Sequence, residues 1–319
     1  MSSTASTQKC GNPSCSHLSD NTTALQNCAR CRKEAYCSKE CQAAQWSTHK
    51  QTCRRPNYVI RFQVCPGHIK NPAVARVLSC PADATFYDLH LALQTAFGWA
   101  TTHSFDFGVL DPEYSPSQDW DSMFQNMALG TDPNAPRQYL FRVFDPVKGS
   151  MFSGIDRMHE GPRKHPNTPE KSAKKYKLYQ LLDDAKWQGQ KLIYTYDFGD
   201  GWEHHLEIKS REDPTNDFVC LDGSGHPIAE DCGGAHGWQD IKAAYRASDP
   251  ITAKQREKRK WFEREASNRD PRGLAGGRVN AFDKDKVNRD LLTMYERFNL
   301  MAEEAQRREA AMEARLRRR

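Results

Sequence analysis

Hydrophobic positions recur with two different periods along the chain, and each change of period marks an element. Residues 58–65 read as a strand and 73–78 as a second, separated by a break at Gly67 and Pro72, so the two are expected to pair. Phe86, Leu89, Leu93, Ala96 and Phe97 then recur at helical spacing; Asp83 or Thr85 can cap the start, and Gly98 stops the run. Residues 103–107 alternate again with their aromatics on one side, and β-type runs return at Tyr139–Phe144 and 191–197. Leu206 and Ile208 continue the alternation past a turn at 198–201, which makes this stretch a β-hairpin, and a helix follows near 238–247. After Asn280, the residues Val287, Leu291, Met294, Tyr295, Phe298 and Met301 form an apolar stripe expected to pack on the preceding domain. Beyond Ala302 the stripe fades into Glu303/Arg307, Glu304/Arg308 and Glu313/Arg317, pairs that each add only about 0.2–0.5 kcal/mol to an exposed helix.

Two stretches interrupt the pattern: 111–137, with four prolines and mixed acids, and 146–175, rich in Gly, Pro and Lys. Because β-type segments resume on either side, they are expected to be flexible insertions within one domain spanning 56–250. A disordered start at 1–9 and a basic helical tail at 254–319 complete the expected organisation. The 319 residues are 38% hydrophobic and 27% charged, an ordinary globular composition with room for two folded units. No run approaches the roughly 18 apolar residues of a membrane span, and the polar start lacks a signal-like apolar region, so the expectation is no membrane partner. The expected location is intracellular, in nucleus or cytoplasm.

The net charge of +5 is too small to imply a nucleic-acid partner, and its distribution says more. Residues 1–55 carry +5, 56–253 carry −7 and 254–319 carry +7. An acidic middle is poorly suited to gripping phosphates, so any polyanion contact falls to the ends, with 254–260 the candidate patch. A solvated helix face is the plainer reading of that patch.

Seven of the eleven cysteines lie in the first 53 residues, at 10, 15, 28, 31, 37, 41 and 53. With His49 they make eight donors, enough for two tetrahedral Zn2+ sites, whereas disulfides would leave one thiol over. Cys28-x2-Cys31 suits a tight metal-binding turn, and Cys37/Cys41 and His49/Cys53 each fall on one face of a helical turn. So short a segment buries little apolar area, so metal binding is expected to supply its folding free energy.

The run Cys28-x2-Cys31-x5-Cys37-x3-Cys41-Gln42-x3-Trp46-x2-His49-Lys50-x2-Cys53 resembles the MYND-type zinc finger in its intervening residues as well as its ligands. The resemblance implies a small interleaved finger over 10–53, with Cys10, Cys15, Cys37 and Cys41 on one zinc and Cys28, Cys31, His49 and Cys53 on the other. It also implies a protein-binding role toward short proline-containing peptides, with Gln42 and Trp46 as contacts; Trp46 could equally pack over the metal site. The first pair is spaced by four rather than the usual two, which leaves His17 as a competing ligand. The Cys-x3-Cys then His-x3-Cys ending fits a RING-like module poorly.

The densest chemistry in the middle is the string 194–205, followed by a Gly-rich loop at 230–234. His103, Asp197, Asp200, Glu203, His204, Asp231 and Cys232 would suit a metal or acid/base site if the two loops converged. The structural alternative, which the sequence alone favours, has Asp200-Gly201 making the turn, Asp197 and Asp231 capping amides, and Trp99 with Trp202 filling the core. Together with Leu89 to Trp99, these strings resemble the plasmid pRi open-reading-frame-three-like domain, also found in passenger proteins of insertion elements. That resemblance implies an α+β fold with a mixed sheet and delivers no activity.

The resulting expectation is an intracellular adaptor acting by protein–protein contact, with transcriptional regulation as one setting. An enzyme with a hydrolytic or nucleotide-handling site between the hairpin and the 230–234 loop comes second. A nucleic-acid accessory, suggested by the basic ends and the insertion-element kinship, comes third.

Overall fold

The computed structural model describes residues 9–15, 24–114, 136–145, 163–247 and 251–316, without the side chains of 305, 306 and 308–316. The first eight residues, His17, residues 115–135 and 146–162 of the two expected insertions (111–137 and 146–175), and the Glu304/Arg308 and Glu313/Arg317 pairs lie outside this description. At the front, β1 (Gln26–Asn27) and β2 (Ala35–Tyr36) form a short antiparallel pair, followed by α1 (Lys39–His49).

The α+β domain is built on eight strands: β3 (Asn57–Val64), β4 (Ala75–Cys80), β5 (Phe105–Leu110), β6 (Tyr139–Phe144), β7 (Glu170–Ser172), β8 (Leu192–Tyr196), β9 (Trp202–Glu212) and β10 (Val219–Ser224). They form one mixed sheet in the order β10-β4-β3-β9-β8-β5-β6-β7, with β6 and β7 parallel and every other neighbour antiparallel. The expected β3/β4 pair is therefore the middle of a wider sheet, since β9 takes the other edge of β3 from Asn57↔Glu212 to Val64↔His204. Residues 163–175, read as the end of an insertion, contain β7 and close the sheet.

Helix α2 (Phe86–Phe97) starts at Thr85, whose hydroxyl accepts from the Asp88 amide at 3.1 Å while the Asp88 carboxylate accepts from the Thr85 amide at 2.8 Å. Gly98, at φ 75°, ends it in the left-handed conformation that a glycine adopts at no steric cost. Ten of its twelve residues are buried, which a helix with one face on solvent could not show. The short α3 (Leu178–Leu182) follows β7 and buries Leu178, Leu181 and Leu182.

The C-terminal third is covered by α4 (Gly234–Arg246), α5 (Ala253–Arg264), α6 (Lys284–Leu292) and α7 (Met294–Leu316). Residues 254–298, read from composition as the start of a tail, are part of this domain: Phe262, Leu274, Leu291 and Met294 are buried in the same core as the sheet aromatics. Asn288 clamps both backbone groups of Cys220 in β10, at 2.7 and 2.9 Å, and Arg297 donates to Thr95 of α2 at 2.8 Å. The basic run 254–260 is likewise engaged, with Lys258 on Asp240 at 2.9 Å and Arg259 donating to the Ala244 carbonyl at 2.6 Å. Among the described residues, no helix is long and apolar enough to cross a membrane.

Candidate metal centres

The front segment brings its eight donors into two groups, Cys10/Cys15/Cys37/Cys41 and Cys28/Cys31/His49/Cys53. Chain order and spatial order cross, so the centres interleave as the finger resemblance implies. The 28–31 turn is closed by the Arg32 amide donating to the Cys28 carbonyl at 2.8 Å, with Arg32 itself at φ 59°. Ser38 caps α1 through the Cys41 amide, and the helix then delivers Cys41 near its start and His49 at its end. The Cys53 amide donates back to the His49 carbonyl, which carries the last ligand around the same turn.

The sulfurs stand 3.5 Å apart for Cys15–Cys37 and for Cys37–Cys41, and 3.8 Å for Cys28–Cys53. His49 presents Nε2 at 3.4 Å from Cys28 and 3.6 Å from Cys31. A Zn–S bond of about 2.3 Å sets tetrahedral edges near ~3.8 Å, so the spacing fits zinc and lies far beyond the roughly 2.05 Å of a disulfide. None of the eleven cysteines forms a disulfide. Thiolate and imidazole donors closed into four-ligand sets are those of structural zinc, and the two sets account for two zinc ions.

Electrostatics point the same way. Burial raises the Cys28 thiol, but the amides of Cys31 and Arg30 and the ring of His49 outweigh it and bring its pKa down to about 6. Its neighbour Cys53 is pushed up to about 12 by burial and by Cys28 itself. In the other set Cys10 falls to about 7 while hydrogen bonds to Cys15 and Cys41 push Cys37 up to about 12. One thiolate in each set suppresses the next, a conflict that a bound dication removes.

In the domain, the hairpin turn and the 230–234 loop converge. Asp197 at φ 55° and Gly201 at φ 67° shape the turn between β8 and β9, and the Gly201 amide closes it on the Asp197 carbonyl at 2.7 Å. Gly233 and Gly234 are both left-handed; a Cβ on Gly234 would sit 2.6 Å from the Asp200 carbonyl oxygen, so glycine is what allows the loops to meet. The Gly233 amide then donates to Asp200 Oδ2 at 3.3 Å.

His103 completes this corner. Strand β5 begins at Phe105, not at His103 as the alternation suggested, so His103 lies outside the pleat and its ring turns to the loops. Its Nε2 lies 2.8 Å from Asp231 Oδ1 and 3.7 Å from Asp197 Oδ2. Asp197 Oδ1 accepts from the Gly199 and Asp200 amides at 2.9 and 3.2 Å. Burial alone would lower the His103 pKa, but Asp231 and then Asp197 raise it to about 9, while burial pushes the Asp197 carboxyl upward.

The other expected members lie elsewhere. His204 is fully buried on β9, its Nδ1 donating to the Trp202 carbonyl at 2.9 Å inside a box of Phe97, Trp99 and Tyr194 rings. Glu203, on the opposite face, pairs with His205 at 2.5 Å. Cys232 donates its thiol to the Gly234 carbonyl, and burial raises its pKa. Glu230, part of the expected 230–234 loop but not among the expected site residues, is fully buried and ties the corner together, accepting from the Ala100 amide at 3.0 Å, from Ser267 at 2.9 Å and from the Tyr196 hydroxyl. A lone glutamate before Asp231 gave no periodic or spacing signal that could have singled it out.

Two family models match this chain: plasmid pRiA4b ORF-3-like protein over residues 67–290, and MYND finger over residues 8–53. The domain is similar to uncharacterized protein y4hQ of Sinorhizobium fredii, 27% identical over 207 residues that make up 64% of this chain and 80% of that protein. The finger is similar to the MYND-type zinc finger protein samB of Emericella nidulans, 39% identical over 49 residues, and to SET domain-containing protein 14 of Caenorhabditis elegans, 42% identical over 40 residues. These two matches cover 15% and 12% of this chain but only 8% and 9% of the relatives' own lengths. Among solved structures, a protein of unknown function from Methanosarcina mazei Go1 aligns with a TM-score of 0.46 and 18% identity over 72% of this chain and 95% of that one.

Proposed function

The chain belongs to the plasmid pRiA4b ORF-3-like protein family, and on that premise we propose that it is a zinc-dependent adaptor in which the finger captures a protein partner for the α+β domain. The observation that carries this reading is Trp46. It is 40% exposed on α1, although its ring lies 5.8 Å from the His49 ligand ring. An indole that only covered the metal would be buried; this one is held in place by the zinc site and offered to solvent. Gln42 stands one turn earlier on the same face.

The partner that suits an exposed indole beside a glutamine amide is a short proline-containing peptide, whose extended backbone stacks on aromatics and pays little ordering entropy. The finger's cations are used for a different purpose. Arg30, Arg32 and Lys33 face Asp83, Asp183 and Asp213 of the acidic domain at 3.7, 3.3 and 2.7 Å, which seats the finger on its own chain instead of on a polyanion. The need for reduced thiolates supports an intracellular setting, within which transcriptional regulation is one proposed context.

The test is a proline-containing peptide library screened with the full chain and with Trp46→Ala. Enriched peptides should lose about 2 kcal/mol, roughly 30-fold in affinity, with the variant, as for an aromatic anchor. Native mass spectrometry should still count two zinc ions. Equal binding by Trp46→Ala, or no enrichment of proline-containing sequences, refutes the proposal.

A further inference from the structure

We propose that His103, Asp197 and Asp231 hold a third divalent transition-metal ion, in an exchangeable site on the α+β domain chemically distinct from the two thiolate centres. One donor atom from each residue, a ring nitrogen and two carboxylate oxygens, lies within 4.8 Å of the other two. Such a set can close on a metal at about 2.0–2.2 Å per bond once the side chains draw in around it.

The second observation is the state of Asp197. The residue is 5% exposed, and both amide contacts go to Oδ1. Its Oδ2 accepts no hydrogen bond from any described residue and points at the His103 ring from 3.7 Å, beyond hydrogen-bond range. A buried carboxylate with one oxygen fixed by backbone and the other aimed at an imidazole nitrogen is arranged as an oriented metal ligand is. A purely structural turn cap would need the first oxygen alone.

Charge balance agrees. Asp197 and Asp231 face the one imidazole with buried Glu230 behind them, and a dication between two carboxylates and a ring nitrogen balances that charge. Glu230 holds the 100–102 segment and the 230–231 segment together through its buried hydrogen bonds, so the ligands are fixed from behind.

Imidazole combined with carboxylates favours first-row ions from Mn2+ to Zn2+ over Mg2+, which prefers oxygen alone. The site is also reachable. The Asp231 side chain is 50% exposed and borders a cavity of about 460 Å3 that Cys232, Lys254, Lys258 and Trp261 also line. Three protein ligands with solvent on the remaining side is the pattern of an exchangeable centre, in contrast to the closed four-ligand finger sites.

The experiment titrates the full chain, carrying its two finger zincs, with Co2+, counting ions by native mass spectrometry and recording visible absorption. The expected result is one further equivalent with d–d bands but no thiolate charge-transfer band. Asp197→Asn, which keeps an oxygen for the two amides, and Asp231→Asn, at a half-exposed side chain, should each weaken that equivalent at least tenfold and leave both zincs in place. Cys28→Ala should lose a zinc and keep the cobalt. A wild-type count that stays at two ions, or a third ion that survives both asparagine substitutions, overturns the proposal.

Discussion

Acidification is expected to weaken the α+β domain well before its carboxylates protonate. His90 and His204 are 1% and 0% exposed, and burial drives the pKa of each down to about 3. His90 Nδ1 meets the Tyr194 hydroxyl at 2.8 Å and its ring stacks on Phe105 with centroids 3.6 Å apart; His204 lies in the aromatic box described above. Both are neutral when folded, whereas an unfolded histidine titrates near ~6.5. As pH falls below that value, the unfolded chain takes up protons that the folded chain refuses, so stability falls by about 1.4 kcal/mol per unit and per histidine until the pH nears 3. Between pH 7 and 5 the pair accounts for about 4 kcal/mol, a large share of the roughly 5–15 kcal/mol of a typical domain. His103 works in the opposite sense: its contribution is fully present in acid and lost as pH rises through about 9, so it only tempers the slope. The assay is urea unfolding at pH 7, 6 and 5 with zinc in excess, followed by tryptophan fluorescence, since Trp202 and Trp238 are buried. His204→Phe, which keeps the box filled and cannot titrate, should remove more than half of the pH slope whatever its stability at pH 7. A flat profile from pH 7 to 5, or an unchanged slope in His204→Phe, would refute the reasoning.

Asp106 and Arg142 are both fully buried and 2.9 Å apart on the sheet, with Arg163 at 3.1 Å, so Asp106→Asn removes the carboxylate that two guanidinium groups share and should cost about 3 kcal/mol in urea unfolding at pH 7, Arg142 keeping its contact with Glu170; a change below about 1 kcal/mol would place the pair among surface ion pairs. Cys28→Ala should release one of the two zincs in native mass spectrometry and leave the near-ultraviolet dichroism of the domain intact. The reason is that exposed pairs such as Arg32–Asp183 and Lys33–Asp213 join the two units at only about 0–1 kcal/mol each. Loss of the domain signal would show that the finger is part of the domain's folding unit.

Sequence alone determined what depends on neighbours along the chain. The finger was legible because its ligands come in pairs three to five residues apart, and zinc accepts few arrangements of thiolate and imidazole. Thr85 and Gly98 bracket α2 by local capping, and the 198–201 turn follows from where positive φ is tolerated. The tertiary structure decided everything that depends on phase or on distant segments. His103 and His204 looked equivalent as candidate ligands, yet one turns to Asp231, 128 residues away, and the other enters the core. The difference is that β5 begins two residues after His103, whereas His204 sits inside β9 in register with Tyr194, and a strand sends alternate side chains to opposite faces. The run 254–260 showed its charge in the sequence but not its destination, because Asp240 and the Ala244 carbonyl reach it only once α5 lies against α4. Local patterns fix local geometry through hydrogen bonds and metal ligation within a few residues; which polar groups are buried, and against what, is fixed by the register of an eight-stranded sheet and the helices laid over it.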